Sequence, residues 1–228
     1  MNIAERKSIL LFSTLIYLIL FFNTGKSISQ SSAFTIARLK YSGGGDWYND
    51  PSAIPNLLAF MQAQTNVGVA EEQVITTVMD EQLFSYPILF MTGHGRISFT
   101  DEEIERLRTY LTSGGFLYAD DDYGMDKYFR DEMAKFFPDK KFVELPFSHD
   151  IYNIHFKFPN GVPKTHEHDG KPPQGFGLFH EGRLIVYYTY ETNISDGWAS
   201  PEVHGDHPEK RLEALRMGTN IMIYMLTH

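Results

Sequence analysis

The chain has no cysteine among its 228 residues. That absence removes disulfides, thiolate nucleophiles and cysteine-borne lipid attachment together, so the fold has to stand on packing. Cations are scarce as well: 20 Lys+Arg stand against 29 Asp+Glu, a formal charge of −9. Nucleic acid is therefore a poor partner, because affinity for a phosphate backbone comes from clustered Lys and Arg. No apolar run reaches the roughly 20 residues that carry a helix across a bilayer. The longest, Ile9 to Phe22, is 14 residues counted inclusively. Internal repeats and low-complexity tracts are also missing.

That short run has the pattern of a secretion signal. Arg6 and Lys7 precede it, Asn23 and Lys26 close it, and Ser27 and Ser29 place small residues at −3 and −1 of a cleavage before Gln30, with Ser31 and Ala33 as a second choice. Residues 1–29 are expected to be a signal peptide and the chain to be exported, into the periplasm; the alternative is an uncleaved N-terminal anchor, which would be its only membrane contact. Residues 1–29 carry Arg6, Lys7 and Lys26 against Glu5, so cleavage would deepen the charge by two, to −11. With 43% hydrophobic residues, residues 34–228 suit one domain.

Taken in order, FTIARLKY (34–41) alternates as a strand, and SGGGDWYNDP leads to a helix marked by Ile54, Leu57, Leu58 and Met61. Asp50 as N-cap and Pro51 as first residue would open that helix. The glycines lack the dinucleotide spacing, since Tyr48 stands where a third Gly is needed, and no phosphate-binding Gly-x-x-x-x-Gly-Lys-Ser/Thr occurs. A turn that folds Trp47 and Tyr48 over the sheet edge is the preferred reading. Val74 to Val78 and Pro87 to Met91 read as strands. Thr100 with Glu103 forms a capping box before a helix through Ile104, Leu107 and Leu111, which Ser113-Gly114-Gly115 ends. Phe116 to Ala119 is the next strand, giving a βαβ unit that delivers His94 and Asp120, Asp121 and Asp122 to strand ends, where ligands of open α/β sheets collect.

A helix from Met125 ends at Pro138, Lys141 to Leu145 returns as a strand, and residues 146–175 form an irregular insertion arching over the sheet edge. Glu181-Gly182 splits a hairpin over Phe176 to Tyr190. The last helix opens at Pro208, with Leu212, Leu215, Thr219, Met222 and Leu226 as its expected buried face and Gly218 allowing close approach.

Several phrases, YSGGGDWYNDP, LFMTGHGRISFTDEEIERLRTYLTSGGFLYADDDYG, SHDIYNIHF and HGDHPEKRLEALRMGTNIMIYMLT, occur in the order seen in the bacterial domain of unknown function 4159 family, which the chain resembles from Phe34 to its C-terminus. The resemblance implies a three-layer α/β, flavodoxin-like architecture similar to class I glutamine amidotransferases, with helices on both sheet faces. It implies no activity. Those amidotransferases place a nucleophilic cysteine after a strand, where this chain has Asp120-Asp121-Asp122-Tyr123-Gly124; thiol chemistry is excluded, and no Gly-x-Ser-x-Gly elbow replaces it.

The remaining chemistry is carboxylate and imidazole. His94 with the Asp run can bind a cation or divide acid and base roles, or else an Asp caps the helix near Met125 and His94 is a hydrogen-bonded loop residue. Together with Trp47, Tyr48 and His149 these residues make the candidate ligand surface at the sheet edge. A second cluster offers His204, Asp206 and His207, with His166, Glu167, His168 and Asp169 in the insertion. His204 and His207 are the candidate ligands of a divalent metal, the one cofactor considered, against the alternative that His207 or Asp206 caps the last helix. The expected role is a non-catalytic ligand-binding or scaffold domain of the cell envelope, its partner a small molecule or an envelope protein. The alternative is a metal-assisted hydrolase of an envelope glycan or peptide.

Overall fold

The computed structural model describes residues 33–228; the signal segment expected over residues 1–29 lies outside the described residues. Seven strands, β1 (Ala37–Leu39), β2 (Val74–Thr76), β3 (Ile88–Met91), β4 (Phe116–Asp120), β5 (Val143–Glu144), β6 (Gln174–His180) and β7 (Arg183–Tyr190), form one sheet in the order β2-β1-β3-β4-β7-β6-β5. The first five in that order pair in parallel, and β6 runs antiparallel to both β7 and β5. β3 and β4 are buried at every position, because helices cover both faces of the parallel part.

Helices α1 (Ala53–Gln64) and α5 (Pro208–Thr227) pack on one face, against Ile36, Ile88, Phe90 and Tyr118. Helices α2 (Asp101–Thr112) and α3 (Asp126–Phe136) pack on the other, against Leu39, Leu89, Met91 and Leu117. A one-turn helix α4 (Pro201–His204) precedes α5. The described chain is thus an α/β domain built on a mixed seven-stranded sheet. Among its described residues no helix is long and apolar enough to cross a membrane.

The local signals explain most boundaries. Thr100 Oγ1 accepts the Glu103 N–H at 3.2 Å while Glu103 Oε2 accepts the Thr100 N–H at 2.8 Å, the expected capping box at the start of α2. Glu181 and Gly182 have φ of 50° and 83°, as a two-residue hairpin turn with positive φ at both centres requires.

Two expectations are corrected. Helix α1 begins at Ala53 after Ser52, not at Pro51 after an Asp50 cap. Asp50 is engaged elsewhere, its carbonyl held by Arg38 and its carboxylate by His204. The buried face of α5 is also rotated: Leu212 and Leu226 are exposed, and Ala214, Met217, Gly218, Ile221 and Met222 face the core. Small residues set this phase. A Cβ on Gly218 would come within 2.8 Å of Leu57 and of the Trp198 ring, so only glycine lets the helix lie this close.

Candidate functional site

Four loops leave the carboxyl ends of β1, β3, β4 and β7, and all four contribute to one open cleft of about 590 Å³. The first loop is anchored by Arg38, which is 2% exposed in the middle of β1. Its Nη1 donates to the carbonyls of Asn49 (2.7 Å) and Trp47 (3.2 Å), its Nη2 to that of Asp50 (3.1 Å), and its Nε to Gln73 Oε1 (2.9 Å). Burial pulls its pKa down to about 10, which leaves it charged at neutral pH. A buried guanidinium needs several acceptors, and here three are the backbone of the loop that carries Asp46, Asn49 and Asp50.

The β3 loop brings His94. Gly93, at φ 135°, leaves room for Asp46, whose Oδ1 would lie 2.9 Å from an added Cβ. Asp46 accepts the His94 backbone N–H and lies 3.0 Å from Nδ1 through Oδ2. Burial opposes ionisation of Asp46, yet these His94 contacts hold its pKa below the ordinary value. Asp122 Oδ2 is 3.5 Å from the same Nδ1, so the ring sits between two carboxylates while Nε2 has no hydrogen-bond partner among the described residues.

The three aspartates after β4 part company. Asp120, fully buried, accepts from Thr189 and Thr192 through Oδ1 and from the Ser195 N–H and hydroxyl, both at 2.7 Å, through Oδ2. Burial raises its pKa against the pull of these donors. Its role is to fasten the β7 loop. Asp121 accepts the Met125 N–H at 2.9 Å and so caps the entry to α3, as one of the three was expected to do. Asp122 alone faces the cleft, receiving Asn49 and, at 2.9 Å, Asn193.

The β7 loop supplies Asn193 and Asp196. Asp196 Oδ2 lies 2.8 Å from His166 Nδ1 and 2.9 Å from Asn193 Nδ2, with His204 Nδ1 at 4.0 Å. The far nitrogens of both imidazoles are held in turn, His166 Nε2 by Asp206 at 2.9 Å and His204 Nε2 by Asp50 at 2.9 Å. Asp122 and Asp196 shift in opposite directions. Burial and the charge of Asp196 raise the Asp122 pKa, whereas for Asp196 the penalty of burial is outweighed by hydrogen bonds from His166, Asn193 and Asp122. The Asp196 contact, against desolvation, raises the pKa of His166. One ligand atom each from His166, Asp196 and His204 lie within 4.8 Å of one another, a set able to hold a metal ion.

The expected site residues therefore divide. His94, Asp122 and His204 meet at the cleft. Asp120 and Asp121 stand beside it as structural groups. Trp47 lends its backbone carbonyl to Arg38 and stacks edge-on against Tyr48, which is exposed; neither ring lines the cleft. His149 does not reach it: it caps the turn at Asp150–Tyr152 and packs on Tyr224. His207 is corrected as a metal ligand, because its ring accepts the Glu209 N–H at the start of α5 and is largely exposed. His166 takes the place assigned to it. Asp46, Asn49, Asp50, Asn193 and Asp196 were missed, and the signal available for them was their position in the loops after β1 and β7, where a parallel sheet gathers its ligands.

Fold and site together define an α/β domain with an acid-and-imidazole cleft at the carboxyl edge of its parallel strands. The family model for the domain of unknown function DUF4159 matches residues 35–226, and the chain belongs to that family. No curated protein matches it.

Proposed function

We propose that this is an exported, periplasmic ligand-binding domain of the cell envelope, of the flavodoxin-like, class I glutamine amidotransferase-like type, working without that type's nucleophilic cysteine. The parallel strands run 2-1-3-4-7, and replacing the last by its rank gives the flavodoxin-like order 2-1-3-4-5, with the cleft beside the reversal between β1 and β3. The signal-like sequence of residues 1–29 supports export.

The observation that carries the binding reading is the convergence of four strand-end loops on one cleft whose lining contains carboxylates, imidazoles and amides and no Lys or Arg. Asp50, Tyr123, Glu191 and Asn193 all hold positive φ in those loops, between 46° and 85°, a cost that the surrounding hydrogen bonds sustain. Such a lining selects ligands that carry positive charge or many donors. Thermal-shift measurements with spermidine, chitosan oligosaccharides and divalent cations test this. At least one should stabilise the chain, and the double variant His94→Ala/Asp122→Asn should lose that response; a response equal in both proteins overturns the site.

A second reading is a metal-assisted hydrolase of an envelope glycan or peptide. It is favoured by the Asp46–His94 pair, in which a carboxylate orients the imidazole and leaves Nε2 for a proton on the cleft side. Release of amines or reducing ends from envelope preparations, lost in His94→Ala, is its test.

A further inference from the structure

We infer that the cleft holds a transition-metal cation of the zinc class through His166, Asp196 and His204, with Asp206 and Asp50 as the outer carboxylates. This deepens the binding reading by naming what the cleft takes first.

The geometry is that of a metal site on both sides of the rings. A metal-bound imidazole ordinarily donates its other N–H to a carboxylate, which fixes the tautomer and the ring plane. Both rings here do so through Nε2, to Asp206 and to Asp50, each at 2.9 Å. Both Nδ1 atoms consequently face Asp196 Oδ2, at 2.8 Å and 4.0 Å, and a metal ion would take the place of the proton in the His166 Nδ1–Asp196 hydrogen bond. Zinc with ligands at about 2.0–2.2 Å sets donor atoms of a tetrahedron roughly 3.3–3.6 Å apart. The two distances to Asp196 bracket that value and the whole set lies within 4.8 Å, so ring movements on the order of an ångström, within ordinary rotamer adjustment, would complete it.

The second observation is independent of the acidic cluster. Asp196 and Asn193 are 4% and 5% exposed, and each has a buried oxygen, Oδ1 in both, without a hydrogen-bond donor among the described residues. Both residues line the cleft. Buried acceptors left without a partner cost roughly 1–3 kcal/mol each and are rare in folded proteins. A hydrogen bond from the His166 ring to Asp196 Oδ2 satisfies neither of them, whereas a cation in the cleft answers both. The ring of His168, another cleft residue, supports the same reading: both its nitrogens are buried beside Tyr123 and have no partner among the described residues. Two imidazoles with one carboxylate favour zinc, manganese or iron over magnesium and calcium, which take oxygen ligands.

The test is calorimetric titration of the tag-free, chelator-treated chain with zinc chloride, repeated in excess magnesium and calcium. One equivalent should bind, and millimolar magnesium or calcium should leave it in place. His166→Ala and His204→Ala should each weaken binding at least 100-fold, and Asp206→Asn, which keeps the outer contact without its charge, about 10–100-fold. His207→Ala should bind within twofold of the parent. Circular dichroism melts without metal check that each variant is folded, and the isosteric Asp206→Asn keeps the question open to refutation should an alanine variant fail to fold. No zinc binding by the parent, displacement by calcium, or loss in His207→Ala equal to that in His204→Ala overturns the inference. A parent stabilised by spermidine or chitosan oligosaccharides but indifferent to zinc would overturn the metal site and leave the binding reading standing.

Discussion

Asp121 separates a structural carboxylate from its ligand-facing neighbour, and pH is the lever. Its side chain is 1% exposed and caps α3 through Met125. Burial, reinforced by the charges of Asp120 and Asp126, raises its pKa from 3.8 to about 7 in spite of the Met125 hydrogen bond. Between those two values the folded protein retains a proton that the unfolded chain has released. Stability from this group is therefore complete below pH 3.8 and falls as pH rises toward 7, by about 1.4 kcal/mol per unit. Over the whole interval that is roughly 4 kcal/mol, and water reaching an ionised Asp121 reduces it to about 2–4 kcal/mol. Asp121→Asn keeps an acceptor for the cap and never ionises. Urea unfolding of both proteins from pH 4 to 8.5 should show nearly equal stability at the acid end and an advantage of that size for Asp121→Asn at the alkaline end. A difference that does not change with pH, or a variant destabilised at pH 8.5, refutes the reasoning.

Other substitutions probe the supports of the cleft. Arg38→Met leaves the carbonyls of Trp47, Asn49 and Asp50 unpaired and should cost about 3–5 kcal/mol, read as a lower melting temperature with faster proteolysis within residues 42–50. Asp120→Asn sets an amide N–H₂ against the Ser195 N–H and should cost about 2–4 kcal/mol, with accelerated hydrogen exchange across residues 192–196. Gly218→Val forces the Trp198 and Leu57 contacts apart and should cost about 1–3 kcal/mol in denaturant melts, without touching the cleft.

Local chemistry made much of the scaffold readable. The Thr100–Glu103 box, the Glu181-Gly182 turn and the apolar runs of β3 and β4 are determined by a few adjacent residues, and each is found where the sequence puts it. The α5 face was misread because leucines outweigh Ala214 and Gly218 in any apolar count, whereas close packing against Trp198 rewards the smallest residues. His94 and Asp122 were legible as cleft residues because each follows a strand whose end the sequence marks, and His204 as a candidate ligand because it stands with other histidines and acids just before the last helix. Asp196 and Asn193 lie in a polar loop whose path depends on Asp120, more than 70 positions away in the chain, and no local pattern reports such a contact.

Arg38 and Asp120 tie the shape of the cleft to the strands as much as to the loops. Arg38 shares a face of β1 with Ile36, which α1 and α5 cover, and it lies over the Phe90 ring at 5.3 Å. Asp120 continues the face of Tyr118 on β4, two strands away from β1. Each is a buried charge satisfied largely by groups of a single loop, Arg38 by residues 47–50 and Asp120 by residues 189–195. Those are the loops that carry Asp50 and Asp196, the outer and inner carboxylates around His204. Loops tied at their bases in this way have little further freedom to lose, so a ligand entering the cleft would meet an ordering cost already paid by folding. Removal of either buried charge should then weaken zinc binding although neither group can touch the ion, an effect that a merely surface-borne metal site on His204 and His207 would not show.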